Sequence, residues 1–294
     1  MSSPASVNLL DHVTAVYTLG PEGTFSDEAA RLFQHQPDLI RYSSTFAEAL
    51  LEVRQDPLQA AVVPIENSVA GTVAQVQDAL VSMDLEILAE VSLPITYSLL
   101  ASADPEKIQD CYTHSQAFEQ TSRWIAQNIP KVRPQFTRSN IDSGLQFLEK
   151  VELGQNPLAA IVPVSFALKH PQYLFAENIQ DYKNNTTRFL LVKNRGENQQ
   201  YDFNRKKTAL FVEFQEDRPG LLYRMLSVFN LFGINLCRLE SRPSKSTPWM
   251  YDFYVDFYNI QESEACLDVL RTSKFNYKIL GSYDVHPPPH KLRH

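Results

Sequence analysis

The residues that could do chemistry in this chain fall in five short polar segments. They are Gly20-Pro-Glu-Gly-Thr-Phe-Ser26, Glu66-Asn67-Ser68, Thr113-His114-Ser115-Gln116 with Gln120, Ser139-Asn140, and Asn185-Thr186-Thr187-Arg188. The set is rich in hydroxyls and amides, holds one arginine, and is poor in carboxylates, thiols and metal ligands. Such a wall suits an anionic substrate, because a guanidinium pairs a carboxylate bidentately while hydroxyls donate in fixed geometry. It offers mild proton donation and electrostatic positioning. His114 titrates near neutrality as a free side chain, although a histidine just past a strand is more often a packed or hydrogen-bonded structural residue. Glu66 reads as an acid or base, or as a structural carboxylate. No GxGxxG, Walker loop or nucleophile elbow occurs, which argues against dinucleotide, nucleotide or serine-hydrolase chemistry.

The elements between these segments explain how they would meet. Val13 to Leu19 reads as a strand, followed by the Gly20 to Ser26 loop and a helix over Asp27 to Phe33, an order that presents backbone N–H groups to a ligand. Thr45 with Glu48 forms a capping box for a helix through Val53. Ala60-Ala-Val-Val-Pro64 is echoed by Ala159-Ala-Ile-Val-Pro163, each after an Asp/Asn-Pro turn, and the echo suggests two similar lobes. Glu86 to Ala101 and Ile108 to Thr113 read as strands, and Gln116 to Asn128 and Ile141 to Val151 as helices. Alternating strands and helices imply parallel sheets covered on both faces, with a ligand cleft at the strand ends.

After the polar 194–204 connector the pattern restarts as strand, helix, strand, strand, helix, strand over Thr208 to Tyr283, the βαββαβ order of the ferredoxin-like fold. Polar residues up to about His12 and the proline-rich run after His286 read as tails.

Composition sets the limits. The 294 residues favour two domains, and 44% hydrophobic with 21% charged residues describes an ordinary globular chain. A net charge of -7 argues against nucleic acid, which wants a basic face. Cys111, Cys237 and Cys266 lack CxxC or CxxH spacing, so neither a disulfide framework nor a zinc site is expected. No apolar run reaches the roughly 20 residues of a membrane helix and no basic leader opens the chain, so no membrane contact and a cytoplasmic location are expected.

Four motifs in order, Gly20 to Ser26, Val63-Pro-Ile-Glu-Asn-Ser68, Asn185-Thr-Thr-Arg-Phe189 and Glu240-Ser-Arg-Pro243, resemble prephenate dehydratase with a C-terminal ACT regulatory domain, over about residues 14 to 285. The resemblance implies an α/β fold. Its catalytic domain, 14–196, would be a two-lobed periplasmic-binding-protein-like (type II) unit, with one lobe at about 14–92 and 176–196 and the other at about 93–175. The ACT domain would span 205–285.

The reaction implied is loss of carbon dioxide and water from prephenate to give phenylpyruvate, with no metal or other cofactor. By the same resemblance Thr187 meets the departing hydroxyl, with Thr113, Gln120, Glu66 and Asn67 as catalytic partners. Thr24, Ser26, Ser68, Ser139 and Arg188 bind substrate, Arg188 by pairing a carboxylate or bracing the loop. Phenylalanine is expected as an allosteric inhibitor held between two copies by Gly220, Leu221, Leu222, Asn235, Leu236, Glu240, Ser241 and Arg242, which implies a homodimer or dimer of dimers. The chain departs from the family in Thr113-His-Ser-Gln116, which lacks a proline, in Ser139-Asn140-Ile141 and in Val69-Ala70. These departures leave arogenate open as the substrate. A non-catalytic amino-acid sensor is the alternative of another class.

Overall fold

A computed structural model describes residues 10, 12–196, 201–214, 216, 218–245 and 247–287. Most of the expected N-terminal tail, part of the 194–204 connector and the run 288–294 lie outside the described residues.

The first half of the chain forms β1 (Ala15–Leu19), α1 (Phe25–Phe33), β2 (Ile40–Ser43), α2 (Phe46–Gln55), β3 (Gln59–Asn67), β4 (Gly71–Thr72), α3 (Ala74–Ser82) and β5 (Leu85–Pro94). It continues through β6 (Tyr97–Ala101), β7 (Asp110–Thr113), α4 (Ser115–Gln120), α5 (Ser122–Asn128), β8 (Arg133–Phe136), α6 (Asn140–Glu152), β9 (Leu158–Pro163), α7 (Val164–Ala167) and β10 (Leu174–Ala176). Then come β11 (Thr186–Asn194), β12 (Lys207–Glu213), α8 (Leu221–Leu231), β13 (Leu236–Pro243), β14 (Tyr251–Tyr258), α9 (Ser263–Thr272) and β15 (Asn276–His286).

These strands make two mixed sheets. The larger runs β13-β14-β12-β15-β5-β11-β3-β1-β2, with β4 hanging on β3, and the smaller runs β10-β6-β9-β7-β8. The purely parallel sheets expected from the sequence do not form. β11 returns from the smaller sheet and inserts antiparallel between β3 and β5, and β6 lies antiparallel to β9. The expected strand Glu86 to Ala101 is cut into β5 and β6, which belong to different sheets, so this segment carries the chain across. The expected helix Gln116 to Asn128 breaks at Thr121, whose hydroxyl donates to the Ala117 carbonyl at 2.8 Å and competes with the helix ladder.

Strand alternation builds the core of the larger sheet. Along β3, Ala60 and Val62 pack with α1, while Ala61 and Val63 pack toward α2 and α3, so both faces are covered. The second of these clusters continues without a break into Ala209, Phe211, Tyr254, Leu280 and Tyr283 of the C-terminal elements. β15 carries the same continuity in the backbone. Its Lys278, Ile279 and Gly281 pair with β12, and its Asp284, Val285 and His286 pair in parallel with Ala89, Glu90 and Val91 of β5. Gly281 is needed at this junction, since a Cβ there would lie 2.3 Å from the Ile87 carbonyl oxygen.

Candidate active site

The two sheets face each other across a cleft of about 530 Å³. Two helix starts meet at its rim. Thr24 caps α1 by accepting from the Asp27 N–H at 3.3 Å, and Ser139 caps α6 by accepting from the Asp142 N–H at 3.0 Å. Gly23, with φ of 85°, brings the α1 loop against Ile141 of α6, where even a Cβ would sit 3.2 Å from the Ile141 Cδ1. Ser165 on α7 donates to the Glu28 carboxylate of α1, a further contact between the halves. Burial pushes the Glu28 carboxyl above its ordinary value, against the opposing Ser165 hydrogen bond.

The floor is set by β3 and β11. Thr187 stands opposite Asn67 and Arg188 opposite Glu66. Asn67 Oδ1 accepts from the Val69 and Ala70 N–H groups at 3.0 and 2.8 Å, which fixes the orientation of its amide. Its Nδ2 therefore points back, donating at 2.8 Å to Thr187 Oγ1 and at 2.8 Å to Asn185 Oδ1. Asn185 Nδ2 in turn donates to Gln120 Oε1 at 2.9 Å. These four side chains are buried, and each donor and acceptor in the chain constrains the next. The consequence at its end is specific. Thr187 Oγ1 is used as an acceptor and its proton has no protein acceptor among the described residues, while Gln120 keeps its Nε2 for the cleft.

Around this floor the wall mixes apolar and polar side chains. Phe25, Phe46, Pro64, Ile95, Tyr97 and Phe189 line it together with Ser26, Ser44, Thr72, His114, Gln116 and Asn140. Tyr97 stands edge-on to Phe25, with ring centroids 5.8 Å apart, and burial raises its phenol despite a hydrogen bond with Asn140. Burial lowers His114, so its neutral form is favoured. Among the described residues no group of three or more His, Cys, Asp or Glu could hold a metal ion. Cys111 and Cys266 are buried, and burial pushes their thiols up to about 12 and about 11 respectively. A larger hollow of about 700 Å³ beside Lys107 and Arg133 is open surface, and those two cations already pair with Asp104 and Asp110.

Thr24, Ser26, Asn67, Gln120, Ser139 and Thr187 thus come together in the cleft. Four other expected site residues stand elsewhere. Thr113 is fully buried and donates to the His114 carbonyl at 3.1 Å. Ser68 is exposed and ties down the turn before β11, donating to the Asn184 carbonyl and accepting from the Thr186 N–H. Glu66 and Arg188 point to the opposite face of the sheet, because each follows or precedes a cleft residue by one position in a strand. There Arg188 donates to Glu66 at 2.9 Å, Glu90 at 2.6 Å and Asp256 at 2.9 Å. Its guanidinium is thereby committed to three carboxylates and does not reach the cleft, which corrects its expected pairing with a substrate carboxylate. Burial alone would raise Glu90, but Arg188 and Lys207 outweigh it and hold the carboxyl below its usual range.

The expected effector residues also divide. Gly220, Leu221, Leu222 and Ser241 line a hollow of about 460 Å³ with Phe214, Trp249 and Tyr251. Glu240 and Arg242, on the other face of β13, turn toward the first half of the chain. Glu240 accepts from Arg238 at 2.6 Å and from Thr72, and Arg242 pairs with Asp78 at 3.4 Å. Asn235 and Leu236 lie at the opposite end of β13 from Ser241. Cleft residues that motif reading missed include Tyr97, Thr72 and Arg138. Arg138 was legible as the cation next to an N-cap, whereas Tyr97 and Thr72 depend on the crossing strand and the β3–β4 ribbon.

The family model for prephenate dehydratase matches residues 16–197. A prephenate dehydratase of Methanocaldococcus jannaschii is 35% identical over 277 residues, covering 92% of this chain and 97% of that protein. The crystal structure of prephenate dehydratase from Staphylococcus aureus superposes with a TM-score of 0.78 at 31% identity, covering 92% of this chain and 99% of that one. The structure of prephenate dehydratase in complex with L-Phe from Arthrobacter aurescens gives 0.77 at 31% identity, with 92% and 89% covered. With a family model spanning most of its length and full-length relatives above 30% identity, the chain belongs to the prephenate dehydratase family.

Proposed function

We propose that the cleft carries out its family's reaction, the conversion of prephenate to phenylpyruvate, with the Thr187–Asn67 pair at the departing hydroxyl. The enzymatic reading rests on the family match and the relatives. The observation that carries the residue roles is the Thr187 hydroxyl, held by Asn67 as an acceptor with its own proton left over.

In the reaction the bond between ring carbon 1 and its carboxylate breaks and carbon dioxide leaves. The electron pair moves through the ring diene, the carbon 4–oxygen bond breaks, and the departing hydroxide takes up one proton from solvent to become water. Aromaticity supplies the driving force, so the protein needs to hold a dianion and stabilise the leaving oxygen. A threonine hydroxyl is too weak an acid to surrender its proton. It acts by donating a hydrogen bond to oxygen as negative charge develops there, in a partly dehydrated site where such a bond is strongest. Gln120 Nε2 and the α1 and α6 starts supply further donors for the anionic substrate, and the aromatic wall holds the ring.

Thr187→Val tests this. It keeps the approximate shape and removes the donor, and kcat should fall about 100-fold, the low end for a lost donor to developing oxyanion charge, with a melting temperature lowered only by the loss of one buried hydrogen bond to Asn67, about 1 kcal/mol. Undiminished turnover would remove Thr187 from the mechanism.

The same proposal reads residues 14–196 as a type II periplasmic-binding-protein-like pair of lobes and 205–285 as an ACT domain through which phenylalanine inhibits, in a homodimer or dimer of dimers. Support comes from the L-Phe complex of the Arthrobacter relative and from the hollow at Gly220 and Ser241.

A further inference from the structure

A dianionic substrate needs a cation, and the arginine that the sequence motif offers is spent elsewhere. Arg188 is enclosed by Glu66, Glu90 and Asp256 on the far face of the sheet. Among the described residues no Asp, Glu or Lys lines the cleft, and His114 is held toward its neutral form. Among the described lining residues one side chain carries a permanent charge, Arg138. It stands on the smaller-sheet side, immediately before the Ser139 cap of α6. Its side chain is 95% exposed, and the nearest carboxylate, Asp142, lies 3.6 Å from its Nε. A guanidinium this open, with a single loose ion pair, keeps most of its fork of donors for a ligand.

We propose that Arg138 binds the side-chain carboxylate of the substrate, the one that survives in the product, and is a substrate-binding residue of this enzyme. The choice between the two substrate carboxylates follows from the reaction. A cation on the ring carboxylate would stabilise the very charge that must leave as carbon dioxide, and so would oppose the bond breaking. The side-chain carboxylate undergoes no change, and a cation there holds ground and transition states alike. Position agrees with this. The departing hydroxyl and the pyruvyl side chain sit at opposite poles of the ring. Thr187 is 8% exposed at the cleft floor, whereas Arg138 stands in the open at the mouth. With the hydroxyl on the floor, carbon 1 and both of its carboxylates are directed outward, and the chemistry of the leaving group decides between them. The proposal rests on the prephenate reading of this cleft.

The test is equilibrium binding of phenylpyruvate, which carries that carboxylate and does not react, to the full chain and to Arg138→Gln by calorimetry. The dissociation constant should rise about 10- to 100-fold, as for a lost charge-assisted hydrogen-bonded pair. Arg138→Lys should recover part of the loss as a point charge. With prephenate, Arg138→Gln should raise KM by a similar factor and leave kcat within about 3-fold, the pattern of a group that binds ground and transition states equally. Equal phenylpyruvate affinity in the original chain and Arg138→Gln overturns the assignment, as does a loss confined to kcat. A chain that binds phenylpyruvate through Arg138 yet leaves prephenate unchanged would instead refute the dehydratase reading, so the two failures are distinguishable.

Discussion

Replacing Arg188 by methionine separates two roles that its motif suggests, ligand binding and internal support. Methionine keeps the apolar stem out to about the position of Nε and deletes the charged end. Three carboxylates then lose a partner that stood 2.6 to 2.9 Å away. Their losses are unequal. The Glu66 side chain is 34% exposed and water can replace much of the bond, while those of Glu90 and Asp256 are 2% and 6% exposed. Glu90 keeps Lys207 at 2.8 Å; Asp256 has no other side-chain ion pair among the described residues. Stripping one partner from a buried pair costs about 3 to 5 kcal/mol. At about 2 to 4 °C per kcal/mol for a chain of this size class, the melting temperature should fall by roughly 6 to 20 °C.

The pH dependence sharpens the test. Glu90 is depressed in the folded chain, so its contribution to stability is full above the unfolded carboxyl value, about 4.3, and is lost as pH falls through the lower folded value. Removing Arg188 takes away much of what depresses it, so the gap between the two proteins should narrow below about pH 4. Thermal melts from pH 3 to 8 read this directly. An unchanged melting temperature with a raised KM would refute the reasoning and return Arg188 to the substrate.

Two other outcomes are expected. Glu28 has a raised folded value, so the folded chain holds an extra proton between about pH 4.3 and that value, and stability falls as pH rises through this window. Glu28→Gln should flatten that slope and be the more stable protein above it; parallel melting curves for the two proteins would exclude the Glu28–Ser165 contact from the pH response. Ser241→Trp fills the hollow at Gly220 and should abolish inhibition by phenylalanine, a coupling of about 1 to 3 kcal/mol where present. Inhibition that persists in this variant would move the effector elsewhere.

Much of this molecule could be read from its residues. The order expected after Thr208, strand, helix, strand, strand, helix, strand, is the order of β12, α8, β13, β14, α9 and β15, because turn residues and apolar alternation separate these elements sharply. The cleft residues Thr187, Asn67, Gln120, Ser26 and Ser139 were found because polar groups at strand ends and helix starts have few other reasons to cluster. The substrate-pairing expectation for Arg188 fails because Thr186 to Arg188 are not a loop ahead of the strand: pairing in β11 already begins at Thr186. Once the strand includes Thr187, a period of two sends Arg188 to the far face. The same rule divides Glu240 and Arg242 from Ser241. The crossing of β5 into β6 was not legible, since an apolar run says that both parts are buried and not that they belong to different sheets. Nor was the insertion of β11, which depends on contacts distant in sequence.

The last three paired residues of β15 bear on how this protein can be taken apart. A chain ended in the connector before Lys207 would lose Asp284, Val285 and His286, and with them the backbone cover on Ala89 to Val91. β5 would become an edge strand, with its apolar Leu85-Glu-Ile-Leu-Ala-Glu-Val91 sequence presenting a row of vacant donors and acceptors. Glu90 would also lose Lys207, and Arg188 would lose Asp256. Truncation of the C-terminal elements is therefore expected to yield a sticky fragment prone to strand pairing between copies, so the proposed response to phenylalanine is better removed by point substitution than by deletion.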